Sequence, residues 1–487
     1  FLYFIDPFCP AATTHLIPIQ FNSSFFINSS AQSMIRRSLA KLQLQRKSQR
    51  AVIVTGARTP FVKSFGEFMK VDTIGLSVAA VGGLLSNTKL DPDQIDHIVW
   101  GNVVMQTNSP NCAREIVIDL NLPRHIAAHS TSMACASGLN AISQAVMLIE
   151  SGHADCVIAG GSDSVSNSEM PITRRFAYGL SQFVYGKKKG LAALPNFFKE
   201  AGYNPLLWLP QPPSIAERST GKTMGWHGDV IGELNQVTRA EQEQFAIESH
   251  RKAVAAREKG YFKDEVVPVE VMKKKKLTPF LTDNLIRGDF DVMTEKFGKL
   301  KPAFRKPNGT ITAATSSALT DGASAVLIMS EEKAKALGYP ADVFLKSWHF
   351  SAIDPYPQLL LAPVLGWPRV LEKAGITAKD VDLFEIHEAF AAQVLATIRC
   401  LESKDFAKKY LKSETPVLEA PIDMSKVNVN GGSLALGHPF AATGGRIVTS
   451  LSNELRRTGK RHGLLSICAA GGLGGVAVLE HIPQKKQ

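Results

Sequence analysis

Cysteine is scarce: there are six in 487 residues, and Cys9, Cys112, Cys135, Cys156, Cys400 and Cys468 stand far apart with no CxxC pair. That spacing argues against a disulfide scaffold or a zinc ribbon and suits thiol chemistry in a reducing compartment. No His, Cys, Asp and Glu cluster has metal-ligand spacing, so no metal is expected. No apolar run approaches the roughly 20 residues needed to cross a bilayer. Nucleic-acid motifs are missing too, as is any basic helix interleaved with aromatics. The net charge of +11 therefore suits a phosphorylated ligand or an anionic lipid surface better than nucleic acid. The lysine runs at 187–189 and 273–276 read as solvated surface. What remains, 45% hydrophobic and 20% charged, is a globular composition long enough for two or three domains.

Acidic residues are absent from 34–50, "MIRRSLAKLQLQRKSQR", a stretch able to form an amphipathic basic helix like a mitochondrial transit peptide. Residues 1–33 hold no methionine, which makes Met34 a candidate start. "FLYFI" has no basic flank and meets Asp6 and Pro7, against a secretion signal. Residues 1–50 are thus read as an extension outside the fold.

Beyond residue 50 one pattern is written twice. "AVIVTGARTPF", "DPDQIDHIVWGNV" and "DCVIAGGSDS" in the first half are echoed by "ADVFLKSWHFS", "TAKDVDLFEIHEAFAA" and "GLLSICAAGGLGGVAVLE" in the second. Strands alternating with helical patterns predict an α/β fold of two similar βαβ-type halves with mostly parallel sheets. The first half is assigned 51–165 plus 319–340 and the second 341–487. Between them, 166–318 is richer in Pro, Phe, Trp and Lys and reads as an inserted loop domain. Its segment 183–213 mixes aromatics, leucines and lysines, a composition suited to a membrane surface or to a cap over a pocket.

The chemistry sits in small-residue turns. "HSTSMACASGLNAI" (129–142) sets Cys135 among Ala, Ser and Gly, predicted within the first turn of a helix, whose N-terminus favours a thiolate. "HEAFA" (387–391) follows a strand. "GGSLALGHPF" (431–440) carries His438, and "CAAGGLGG" (468–475) carries Cys468. Each is weak alone. Together they put two cysteines and two histidines at strand ends, where open α/β sheets bind ligands.

With "TITAATSSALTDGASA" (310–325), these segments resemble the thiolase family in the family's order, over about 50–485. "HEAF" and "CAAGG" match the branch of 3-ketoacyl-CoA thiolases in mitochondrial β-oxidation. The resemblance implies a five-layered α-β-α-β-α fold and an acyltransferase that cleaves medium- to long-chain 3-ketoacyl-CoA. Cys135 is then the nucleophile, His438 its activating partner, Cys468 the second acid and base, and His387 the holder of a water. Backbone N–H groups of Cys135 and Ala470 form an oxyanion hole, with Ala470 where glycine is common. Met224 and Ser317 match positions lining the pantetheine and acyl pocket. The sequence after Met224, "GWHGD", departs from the family, and Ala441 also replaces a common glycine. Cys112, Cys156 and Cys400 are taken as structural.

No cofactor is implied beyond coenzyme A as co-substrate, and the basic charge would steer its phosphates. The resemblance further implies a homodimer or larger, a hydratase/dehydrogenase α subunit as partner, and the matrix side of the inner mitochondrial membrane. The alternatives are a biosynthetic acetoacetyl-CoA thiolase, a ketoacyl synthase, a non-catalytic lipid or CoA carrier, and a membrane scaffold. A synthase would be expected to have histidine in place of Cys468.

Overall fold

The computed structural model describes residues 49–211 and 216–484. The extension 1–50 lies outside them, apart from Gln49 and Arg50. In chain order the strands are β1 (Ala51–Arg58), β2 (Val62–Lys63), β3 (His97–Gly101), β4 (Ala127–Thr131), β5 (Cys156–Asp163), β6 (Val269–Lys273) and β7 (Lys276–Phe280). There follow β8 (Thr320–Ser330), β9 (Val343–Ala352), β10 (Leu383–Ile386), β11 (His462–Ala469) and β12 (Leu473–His481).

The repeat is physical. The first half pairs in the order β3-β5-β8-β1 and the second in the order β10-β11-β12-β9. Each run opens with a parallel pair and continues with two antiparallel ones. β4 extends the first half by a further parallel pairing to β3. The two runs meet through β1 and β9, where Val52 faces Phe344. The sheets are therefore mixed, where mostly parallel ones were expected. β11 returns directly into β12 through the turn at 470–472, with Gly471 and Gly472 at positive φ, and a tight return of this kind makes an antiparallel pair.

Strand side chains alternate between two buried faces, as their unbroken apolar runs require. On β5, Cys156 and Ile158 face the helix Thr73–Thr88, whereas Val157 and Ala159 face the molecular centre. On β12, Val476 and Val478 face the helix Ala362–Ala374, whereas Ala477 and Leu479 face that same centre. The central layer is made of the helices Ser137–Glu150 and Ala442–Thr458, through Leu139, Ile142, Ile447 and Leu451. Helix, sheet, helix pair, sheet and helix give five layers.

These central helices touch closely because both carry glycines. A Cβ on Gly138 would collide with the Ala441 carbonyl oxygen, and one on Gly444 with the Leu139 amide nitrogen. This contact brings the N-terminal end of one helix against that of the other.

Between β5 and β8 the chain forms the helices Arg174–Tyr185, Leu194–Ala201, Met224–Leu234 and Arg239–Glu258 and the separate β6/β7 hairpin. Arg58, buried at the end of β1, holds this region with two bonds to Asp283 (2.7 and 2.9 Å) and one to Glu265. Over 174–209, Phe176 stacks on Trp208 and Phe198 on Tyr203, while Tyr185, Leu191, Tyr203 and Leu206 remain exposed. No helix of the described residues is long and apolar enough to cross a membrane.

Candidate active site

Cys135 sits in the link from β4 to the helix Ser137–Glu150, one residue before the N-cap Ala136 rather than inside the first turn. Ala134 holds φ at +45°, a left-handed conformation that costs about 1–3 kcal/mol without a glycine. Ser137 secures the bend, its hydroxyl accepting from the Met133 N–H (2.8 Å) and donating to the Ala134 carbonyl (2.6 Å).

The backbone N–H groups of Ala470 and of Cys135 itself favour the charged form of the Cys135 sulfur. Ala470 belongs to the β11–β12 turn, so the second half acts on the first half's cysteine. Burial outweighs both and pushes the Cys135 thiol up to about 12. It rests as a neutral thiol and requires a base. Cys468, near the end of β11, is buried where Cys135 is half-buried; its thiol is driven well above the ordinary range by burial and then by Cys135. Two sulfurs 333 positions apart in the chain thus feel each other's charge.

His387 follows β10, and its N–H donates to the Ser466 carbonyl (2.8 Å), setting it beside the Cys468 strand. His438 is delivered from the other direction: its N–H donates to Thr320 Oγ1 (3.0 Å) at the start of β8. Gly437 permits this approach with φ at +97°, and a Cβ there would lie 2.5 Å from Thr320 Oγ1. The imidazole rings lie 4.1 Å apart between centroids. His387 Nδ1 meets Ser433 Oγ at 3.0 Å, and His438 Nδ1 meets Thr443 Oγ1 at 2.6 Å. Both Nε2 atoms are buried without a partner among the described residues. Burial holds His438 down to about 3 and His387 well below its ordinary value, so both rest neutral. Two neutral imidazoles with free nitrogens can hold a proton or an oxygen of a bound molecule.

The peripheral pair lies on the same side of the second half. Ser317 donates its N–H to Ala389 O (3.0 Å), beside the segment following His387. Met224 opens the helix Met224–Leu234 and packs half-buried against a core that includes Phe390 and Cys468. Just before it, Glu217 accepts from the Gly471 N–H (2.8 Å), linking the inserted segment to the turn that carries Ala470. Ala441 is accommodated because its neighbour Gly161 has no side chain. Cys112, Cys156 and Cys400 are buried elsewhere, with thiols raised by burial.

Sequence reasoning passed over Asp163, Ser433 and Arg446. Buried Asp163 accepts N–H bonds from Val103 (2.9 Å), Val104 (2.6 Å) and Ala441 (2.8 Å), tying the His438 segment to β5. Its signal was an acid at the end of an apolar strand. Arg446, buried in the central helix, pairs with Glu385 at 3.4 Å and donates to Ser433 Oγ at 3.2 Å. Its signal was an arginine inside a run of small and apolar residues.

The thiolase N-terminal domain profile matches residues 51–332, and the thiolase C-terminal domain profile matches 340–481. The chain is 41% identical to a 3-ketoacyl-CoA thiolase of Shewanella woodyi over 89% of its length and 97% of the relative's. It is 39% identical to the mitochondrial trifunctional enzyme subunit beta of Bos taurus over 96% of its length and 95% of the relative's. The crystal structure of human mitochondrial 3-ketoacyl-CoA thiolase superposes with a TM-score of 0.75 at 28% identity, covering 89% of this chain and 99% of that one. The Bacillus anthracis acetyl-CoA acetyltransferase does so with a TM-score of 0.74 at 29% identity, with the same coverage.

Proposed function

The chain belongs to the thiolase family, and from that premise we propose that it cleaves medium- to long-chain 3-ketoacyl-CoA with CoA in mitochondrial fatty-acid β-oxidation. The products are acetyl-CoA and an acyl-CoA two carbons shorter. One observation supports the reading most: two groups of the second half, Ala470 and Cys468, act on the thiol of Cys135 in the first half.

The Cys135 proton passes to His438 Nε2, and the sulfur attacks the 3-keto carbon. The oxygen that becomes negative is held by the N–H groups of Cys135 and Ala470, which need no reorganisation as charge develops. Collapse breaks the C2–C3 bond, leaving a thioester on Cys135 and the enolate of acetyl-CoA. A water on His387 and the imidazole of His438 face the enolate oxygen, and Cys468 gives its proton to C2. Incoming CoA returns a proton to Cys468, attacks the thioester, and releases Cys135, which recovers its proton from His438. Acid and base are both thiols, so their proton affinities match. Coenzyme A is the co-substrate and no further cofactor takes part.

In this reading 51–165 with 319–340 and 341–487 form the two catalytic halves, and 166–318 with Met224 and Ser317 binds CoA and acyl chain. The protein acts as a dimer or larger with a hydratase/dehydrogenase α subunit on the matrix side of the inner membrane. A relative named as a subunit of a mitochondrial enzyme supports the partner subunit and the organelle. The exposed Tyr185, Leu191, Tyr203 and Leu206 form a surface that suits lipid contact.

The test is turnover of 3-ketoacyl-CoA of 4 to about 16 carbons, alongside Cys135→Ala and a pelleting assay with anionic vesicles. The reading expects CoA-dependent loss of the long substrates, none in the variant, and pelleting with vesicles. Activity on the four-carbon substrate alone would favour a biosynthetic acetoacetyl-CoA thiolase, consistent with the fit to an acetyl-CoA acetyltransferase. Vesicle binding without turnover would favour a scaffold or carrier.

A further inference from the structure

Ser433 lies between two groups of different capability. Its Oγ is 3.2 Å from Arg446 Nη2 and 3.0 Å from His387 Nδ1, and all three residues are buried. Guanidinium can only donate, so Ser433 Oγ accepts from Arg446. The Ser433 hydroxyl has no further partner among the described residues, which leaves its own proton for His387 Nδ1. An imidazole that accepts at Nδ1 carries its proton at Nε2. Glu385, 3.4 Å from Arg446 Nη1, orients the guanidinium at the far end of the chain.

We propose that the Arg446–Ser433 relay is a positioning device that locks His387 as its Nε2–H tautomer, making the unpartnered Nε2 a permanent donor in the active site. His438 is held differently. Thr443 Oγ1, its Nδ1 partner, has no second side-chain partner among the described residues and turns to donate or accept. One histidine is therefore fixed as donor while the other is free to take up and give back a proton. This division follows from one arginine standing behind one serine and none standing behind Thr443. The inference deepens the thiolase reading above, in which His387 holds the water that faces the enolate oxygen.

The first test needs no turnover. Histidine-selective ¹⁵N spectra of the full-length protein should show His387, assigned by its loss in His387→Asn, protonated at Nε2. In Ser433→Ala the same signal should report a mixture of tautomers. The second test is kinetic: Ser433→Ala should lower kcat about ten-fold with KM unchanged, because one buried hydrogen bond is lost. In His387→Asn, whose amide donates without any tautomer, adding Ser433→Ala should change kcat less than about two-fold. An Nδ1–H signal in the unaltered protein overturns the proposal, and so does an equal loss in both backgrounds. Turnover surviving in Cys135→Ala would instead remove the thiolase reading and leave the tautomer result standing.

Discussion

Cys468 separates proton transfer from acyl transfer more cleanly than any other side chain in the site. Its thiol is buried, raised, and close enough to Cys135 for the two to interact electrostatically. In the proposed mechanism, replacing it with alanine removes a proton carrier and leaves Cys135 and the Cys135 and Ala470 N–H groups in place. Cys468→Ala should therefore lower kcat about 10²- to 10⁴-fold, the range for loss of one acid or base, with KM little changed. Alkylation of Cys135 by iodoacetamide, followed by peptide mass spectrometry, should persist in this variant. Equal loss of alkylation would mean that Cys468 supports Cys135 structurally. At this scale the two cysteines and two histidines were legible as a set of small-residue turns, each weak alone, and the structure sets the two imidazoles side by side and the two thiols within electrostatic reach. Asp163, Ser433 and Arg446 were not, because each acts through hydrogen bonds to segments far away in the chain. Ser433 acquires meaning only when Arg446 and His387 stand on either side of it.

The two glycine-bearing helices of the central layer are where the repeat becomes a catalyst. Ser137–Glu150 presents Cys135 and Ala442–Thr458 follows His438, and the contact between Gly138 and Ala441 sets the spacing of their N-terminal ends. A methyl on Gly138 meets backbone, which cannot swing aside as a side chain can. Gly138→Ala should destabilise the protein by about 1–3 kcal/mol, the usual effect of overpacking, and should lower kcat even where it remains folded. Thermal unfolding beside an assay well below the transition checks both; an unchanged melting temperature would show that the helices relax apart without consequence. The duplication behind this layer was visible as echoed strand sequences, and its order survives as β3-β5-β8-β1 against β10-β11-β12-β9. Strand direction was not visible. An apolar run such as "AVLIM" records burial on both faces and carries no mark of which way its neighbour runs.

For the whole molecule, the site's buried titratable groups pull stability in opposite directions with pH. His438 is held down to about 3 and His250 to about 4, chiefly by burial, from an ordinary 6.5. The unfolded chain binds these two protons more readily, so their contribution is complete above 6.5 and is lost as pH falls toward those values. Glu480, lowered to about 2 from 4.5 by Lys346 and Arg461 despite its desolvation, adds to the same acid limb. Asp163 acts the other way. Burial outweighs its three backbone bonds and raises it from 3.8 to about 7, so the folded chain holds the proton more tightly. Its contribution is complete below 3.8 and is lost as pH rises through about 7. Glu385, raised from 4.5 to about 8 chiefly by burial, acts the same way, so above 6.5 these two carboxyls act together. Above 6.5 the melting temperature should therefore decline through about 7 to 8. Asp163→Asn removes the titrating group while leaving one oxygen for the Val103 and Val104 N–H bonds. That variant should melt lower overall, yet its melting temperature should fall less between pH 6.5 and 8 than the unaltered protein's, the remainder coming from Glu385. If its decline over that interval matches the unaltered protein's, Asp163 is ionised throughout and its bonds to Val103, Val104 and Ala441 outweigh its burial.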